Sequence, residues 1–415
     1  MTAPITRAGQ FVKQPTGYRA FIPASLPPDP PVLLDPILGG LLSQADQAIG
    51  RLDGVIYTLP DADLFVAMYV RQEAVLSSQI EGTQSSLDDV LTFELDPGGQ
   101  ELPQDVAEVV NYVRAMNYGL ERLTTLPLSL KLIREIHAVL MDGVRGANKQ
   151  PGEFRTSQNW IGSGNVPIDR ATFVPPPTQQ MWQALDDLER FLHQDHSLPA
   201  LVHCGLAHAQ FETIHPFLDG NGRVGRLLIT FLLYHQGILH RPVLYLSTFL
   251  KSHRSEYYDR LMAVREQGDW EGWLRFFLRG VAESAEAATE TARAIVRMRE
   301  ALRNVVQEQG LGLHGLRLLD LLFHFPVVNV RLVEQRLGVV FATANKLLKR
   351  FEELGLVNET TGGKKFRRFR YTPYLALFEE PHVGRDQDVP LQTTESESGI
   401  DLGEVSQDRL DMVAT

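Results

Sequence analysis

The chain is poor in cysteine, in long apolar runs and in positive charge. One cysteine, Cys204, occurs among 415 residues and sits in a helical pattern, which excludes a disulfide framework and gives no sign of an oxidising compartment. That scarcity also leaves His203, His208 and His215 without zinc-type partners, so a structural metal is not expected. No apolar run is long enough to cross a bilayer. The opening "MTAPITRAGQFVKQPTG" lacks the apolar centre of a secretory signal, and a cytoplasmic protein is expected. Formal net charge is −11 and the isoelectric point is near 5.6, which excludes a general polyanion binder and leaves room only for a local basic patch. No Gly-Lys-Ser/Thr phosphate loop occurs. The run "GLGLHG" at 310–315 fits G-x-G-x-x-G but follows helical sequence with no strand before it, and it reads as a hinge.

What is present is helix. With 44% hydrophobic and 22% charged residues the chain suits a globular protein of more than one domain. Residues 1 to about 37 are proline-rich ("FIPASLPPDPPVLLDP") and are expected to run as an extended arm. Helical patterns follow to about Leu91, with Asp61 as an N-cap ahead of an apolar stripe of Leu64, Phe65, Met68, Val75 and Leu76. "ELDPGGQELP" interrupts, then "QDVAEVVNYVRAMNYGLERL" and "LSLKLIREIHAVLMDG" resume helix. The insert "GEFRTSQNWIGSGNVPIDRATFVPPP" has turn residues between short apolar runs and predicts a β-hairpin or flap. Helix then returns from Met181 to roughly Gln309, including "LPALVHCGLAHAQFETI", whose apolar spacing is that of an amphipathic helix.

Between that helix and the apolar "RVGRLLITFLLYHQG" lies "HPFLDGNG", a short loop feeding a helix N-terminus. Gly220 and Gly222 allow close approach of the backbone, and the unpaired N–H groups of the next helix make an anion-binding nest reinforced by the helix dipole. Arg223 and Arg226, three apart, share a helix face and can grip neighbouring phosphates. Asp219 is placed to bring in Mg²⁺, and His215 to take a proton from a hydroxyl near neutral pH. Phe217 packs inward. These are the parts needed to transfer a group from a nucleotide.

The run His215-Pro-Phe217-Leu-Asp219-Gly220-Asn221-Gly222-Arg223-Val-Gly-Arg226 resembles, position for position, the motif of Fic-domain proteins. The resemblance implies a mainly α protein built on a Fic-type helical core with a small β-hairpin flap. Its implied activity is transfer of AMP from ATP to a Ser, Thr or Tyr hydroxyl of a target protein, or of the chain itself. By the same resemblance His215 is the general base and Asp219 holds Mg²⁺. Gly220, Asn221 and Gly222 bind the α- and β-phosphates, Arg223 contacts phosphate, and Arg226 reaches the γ-phosphate. Residues 159–173 correspond to the hairpin that aligns the target, and Tyr257 and Tyr258 to the adenine pocket. "SSQIEGTQ" resembles the family's inhibitory motif, here Ser77, Glu81 and Gly82, which implies that Glu81 pairs with Arg226 and displaces the γ-phosphate.

The last segment changes character. Three short helical patterns ("GLRLLDLLFHF", "VRLVEQRLG", "ATANKLLKRFEELGLV") precede "NETTGGKKFRRFRYT", a basic hairpin, and together predict a winged helix-turn-helix. Lys346, Lys349, Arg350, Lys364, Lys365, Arg367, Arg368 and Arg370 suit DNA phosphates; the alternative is a module that docks on the core or on a second copy of the chain. The expected divisions are residues 1–110 for the arm and the helices with the inhibitory motif, 111–300 for the core, 301–380 for the winged helix, and 381–415 for an acidic, disordered tail. Two other functions stay open. One is a DNA-binding regulator whose core senses a nucleotide. The other is a related phosphotransferase or AMP-removing enzyme.

Overall fold

The computed structural model describes residues 6–59, 61–96, 103–162, 166–194, 198–363 and 366–379. The protein is mainly helical, and the expected extended arm is its first departure from the sequence reading. Strands β1 (Gly9–Lys13) and β2 (Arg19–Pro23) pair antiparallel, with Phe11 opposite Phe21, and the Phe21 amide donates to Val174 in the flap segment. Gly9 lies at φ +135°, where a Cβ would meet the Ile22 carbonyl at 2.2 Å, so only glycine closes this hairpin.

Helix α1 (Pro36–Thr58) starts with Asp35 accepting from the Leu38 amide and a proline at its first position. Helix α2 (Ala62–Ile80) is capped by Asp61, as expected, and buries Phe65, Met68 and Val75. Next come α3 (Leu87–Leu95), with a Ser86–Asp89 capping box, α4 (Gln104–Arg122) and α5 (Leu130–Leu140). The flap is less of a hairpin than expected. Its described part carries a single antiparallel bridge, Ile161 with Phe173, and a short 3-10 turn at Ile168–Arg170.

Helices α6 (Thr178–His193), α7 (Ala200–Ile214), α8 (Asn221–His235), α9 (Ser247–Ser252), α10 (Arg254–Gln267) and the long α11 (Trp270–Glu308) complete the core. The amphipathic reading of α7 is corrected here, since every residue from Leu201 to Ile214 is buried. A helix enclosed on all sides is the central element of its domain, and α7 packs on α6, α8 and α11.

The C-terminal part runs α12 (Gly312–His324), β3 (Val327–Asn329), α13 (Val330–Leu337), α14 (Phe341–Glu353), β4 (Asn358–Glu359), β5 (Arg368–Arg370) and α15 (Thr372–Glu379). Its small antiparallel sheet has the order β3-β5-β4. The expected boundaries at 110 and 300 fall inside α4 and α11, so neither is a break in the chain. The described residues belong to one compact unit, in which Arg370 of β5 pairs with Asp88 of α3 at 2.9 Å. The expected acidic tail lies outside the described residues. Among those residues no helix is long and apolar enough to cross a membrane.

Candidate active site

Helix α7 ends at His215, which stands at φ 49°, ψ 60°, a left-handed conformation that few residues other than glycine adopt. Its carbonyl is held there by the Arg155 Nε (3.1 Å) and Asn159 Nδ2 (3.2 Å) groups. The loop beyond is braced from within. Asn221 Oδ1 accepts from the Phe217 amide and its Nδ2 donates to the Phe217 carbonyl, both at 2.8 Å. The side chain of Asn221 therefore faces inward and braces the loop, while its backbone amide stands at the first position of α8.

His137 of α5 provides a second brace. Its ring stacks on Phe217 at 3.7 Å, and its Nδ1 accepts from the Gly152 amide at 2.9 Å. The proton consequently sits on Nε2, which donates to the Asp219 carbonyl at 3.0 Å. Burial holds the pKa of His137 down to about 4 and keeps it neutral. Gly220, at φ 79°, then turns the chain into α8.

His215 is neutral as well. Burial, followed by repulsion from Arg265 and Arg155, brings its pKa to about 3 against the opposing pull of Glu81 and the Glu212 backbone. A neutral imidazole at a loop edge can accept a proton. Asp219 is 39% exposed at its side chain, and its Oδ1 accepts from the Gly220 amide at 2.7 Å. One accessible carboxylate suits Mg²⁺, which takes one or two carboxylates together with substrate phosphates. Among the described residues no cluster of three or more His, Cys, Asp or Glu would cage a metal without a substrate.

The two arginines of α8 are both buried and both engaged. Arg223 donates to Glu108 Oε2 at 3.1 Å and lies 3.7 Å from Asp219 Oδ1. Arg226 donates from Nε to the Ser77 hydroxyl (2.7 Å) and from Nη2 to the Ser77 carbonyl (2.9 Å) and Glu81 Oε1 (2.8 Å). The same Glu81 oxygen lies 2.2 Å from where a Cβ on Gly222 would be. A carboxylate thus rests on the first turn of α8, where an anion is favoured. Burial pushes the Glu81 pKa up, but the charge and hydrogen bond of Arg226, with the charge of Arg223, outweigh it and hold the group ionised.

Tyr257 and Tyr258 separate. Tyr257 is fully buried beside Trp273 and Phe276, with its hydroxyl on His208 Nε2 at 2.9 Å, so it packs the core and does not line an open pocket. Tyr258 is 41% exposed and stacks under Arg254. In the C-terminal part, Arg350 reaches Gln309 and Glu353, Arg367 reaches Asn345, and Arg370 reaches Asp88, so these cations are used inside the fold. Lys364 and Lys365 lie outside the described residues.

Sequence reasoning missed Glu108, His137, Arg155 and Glu73. Glu73 is a buried acid whose pKa burial raises to about 7, and it accepts from Tyr112, the Ser247 hydroxyl and the Ser247 amide.

Residues 40–121 match the Fic/DOC family N-terminal model and residues 127–233 match the Fic/DOC family model. Over 185 residues the chain is 31% identical to the protein adenylyltransferase Fic of Drosophila erecta, and equally to that of Drosophila melanogaster. The matched segment is 43% of this chain and 32% of either relative, so the chain spans about a third of their length. Among solved structures, a Fic family protein from Desulfovibrio desulfuricans G20 is similar with a TM-score of 0.52 at 21% identity, covering 82% of this chain and 97% of that one. That likeness shows the mainly helical fold.

Proposed function

We propose that this Fic-domain chain transfers AMP from ATP to a hydroxyl side chain of a protein, itself included, and that Glu81 holds it in an inhibited state. The observation that carries the reading is the Glu81 carboxylate on Arg226 and over Gly222, an anion lodged in a cradle built for one. In the transfer, the neutral His215 takes the proton of the incoming hydroxyl. The hydroxyl oxygen forms a bond to the α-phosphorus, the bond from that phosphorus to the bridging oxygen breaks, and pyrophosphate leaves. The first-turn amides of α8 and the guanidiniums of Arg223 and Arg226 take up phosphate charge. Asp219 would hold Mg²⁺, which neutralises charge across the phosphates. With Glu81 in place, Arg226 is unavailable to the terminal phosphate and ATP is held out of line.

The test is incubation of the whole chain with α-labelled ATP and Mg²⁺, followed by mass spectrometry for an added AMP group. His215→Ala should lose ~10²–10⁴-fold in transfer while still binding nucleotide. Retained transfer removes His215 as the base. Absence of any adduct, even after removal of Glu81, overturns the activity and leaves the nucleotide-sensing regulator standing.

A further inference from the structure

We infer that Arg145, in the turn that follows α5, is a third phosphate-binding cation of this site and takes the pyrophosphate end of the nucleotide; the inference rests on the AMP-transfer reading above. The turn lies directly against the Asp219 carboxylate. Gly146 stands at φ 87°, and a Cβ there would come within 2.7 Å of Asp219 Oδ2. One residue earlier, Arg145 has 52% of its side chain exposed and is tied by Nε to Glu108 Oε1 at 3.3 Å. That oxygen has no well-aligned hydrogen bond, so the tie is electrostatic and loose.

Glu108 therefore faces two guanidiniums of different freedom. Arg223 is fixed by a direct hydrogen bond and has 2% of its side chain exposed. Arg145 is a solvated cation with one poor contact, able to turn toward a better anion. The local charge favours such an anion. Arg145, Arg223 and Arg226 face Glu81, Glu108 and Asp219, which balances only while Glu81 occupies the cradle. Once Glu81 leaves and a cation takes Asp219, the surplus is positive and suits a polyphosphate. This turn meets Asp219 at Gly146 and Glu108, the partner of Arg223, at Arg145. The phosphorus under attack belongs beside His215, so the far phosphates are the ones that fall to Arg145. A planar fork there meets the charge that grows on the leaving group.

The experiment is calorimetric titration of the full-length Glu81→Gly chain, with Mg²⁺, against ATP, inorganic pyrophosphate and AMP, with and without Arg145→Gln. We expect ATP and pyrophosphate to bind about tenfold more weakly in the Gln variant, the scale of one lost charge-assisted hydrogen bond, and AMP to change less than about twofold. Arg145→Lys keeps the charge and should lose less, in the same order of ligands. It serves as the folded comparison if the Gln variant melts early. Unchanged ATP affinity, or equal losses for ATP and AMP in either variant, overturns the role of Arg145 alone. If Glu81→Gly binds neither ATP nor pyrophosphate, the nucleotide reading fails and this inference with it.

Discussion

Arg223 and Arg226 lie three residues apart on one buried helix face, and each meets a carboxylate from the N-terminal helices. Glu108 sits in the interior of α4 with 1% of its side chain exposed; Glu81 sits at the C-cap of α2 with 32% exposed. Beyond Glu81, Gly82 stands at φ +102° with nothing near where its Cβ would be. One carboxylate is locked between packed helices, and the other hangs from a helix end beside open space. A charge pair sealed inside the fold cannot be opened without exposing an unpaired ion, whereas a pair at a helix end can swing away at little cost. The same pairing chemistry therefore builds a fixed clamp on Arg223 and a removable stop on Arg226.

The sharpest way to break this contrast is at Glu108. Its removal strands the Arg223 guanidinium in the interior, with Asp219 at 3.7 Å as a poor substitute. Glu108→Ala should cost ~3–5 kcal/mol in denaturant unfolding, the usual penalty for half of a buried pair. A loss below about 1 kcal/mol would make Glu108 as dispensable as a surface partner and erase the distinction.

Glu81 should behave in the opposite way. Glu81→Gly should leave unfolding within about 1 kcal/mol of the parent, because Arg226, though buried, keeps its hydrogen bonds to the Ser77 hydroxyl and carbonyl and loses only the partly exposed member of its pair. AMP transfer should rise about a hundredfold, the scale on which a ~1 Å misplacement of reacting groups slows a reaction. The gain should need Arg226, so labelling rates of Glu81→Gly, Arg226→Ala and the double variant decide the matter. A rate for Glu81→Gly below the parent means that Glu81 is no stop.

The two carboxylates also differ in how far the sequence discloses them. Residues 215–226 are legible because their chemistry is local: one loop and one helix turn hold the base, the acid, the glycines and both arginines. Glu81 is legible only through the resemblance of "SSQIEG" to a known motif, since a Glu-Gly at a helix end is ordinarily a cap and a turn. Glu108 gives no signal, because a glutamate in "QDVAEVV" reads as a solvated helix face until α8 is laid against it. Helix α7 misleads for a related reason. Its polar residues, His203, His208, Gln210 and Thr213, would suit contact with water. Yet each finds a buried partner: the Phe191 carbonyl, the Gly225 carbonyl and Tyr257, the Ala24 carbonyl, and the Ala209 carbonyl. The N-terminal hairpin was written in "GQFVKQPTGYRAFIP", two β-prone runs about a Pro-Thr-Gly turn, but the prolines that follow dominate the composition.

The smallest expected effect concerns a third carboxylate, Glu212, one turn before His215. Its Oε1 is buried without a hydrogen-bond partner and lies 2.2 Å from where a Cβ on Gly225 would be. Burial raises its pKa to about 7; Arg226 and Arg265 pull it down, and Glu81 pushes it up. A folded pKa above the unfolded value of 4.5 means that the folded chain holds this proton longer. The stability it confers is fully present below the unfolded pKa and is lost as pH rises through about 7. Unfolding of the parent and of Glu212→Gln, compared at ~pH 6 and ~pH 8, should show the variant gaining about 1 kcal/mol relative to the parent over that interval. In the Glu81→Gly background the gain should shrink, because the neighbouring negative charge that raised the pKa is gone. If the gain is absent in both backgrounds, Glu212 is ionised throughout. Arg226 is then shared between two carboxylates, and Glu81 does not command it alone.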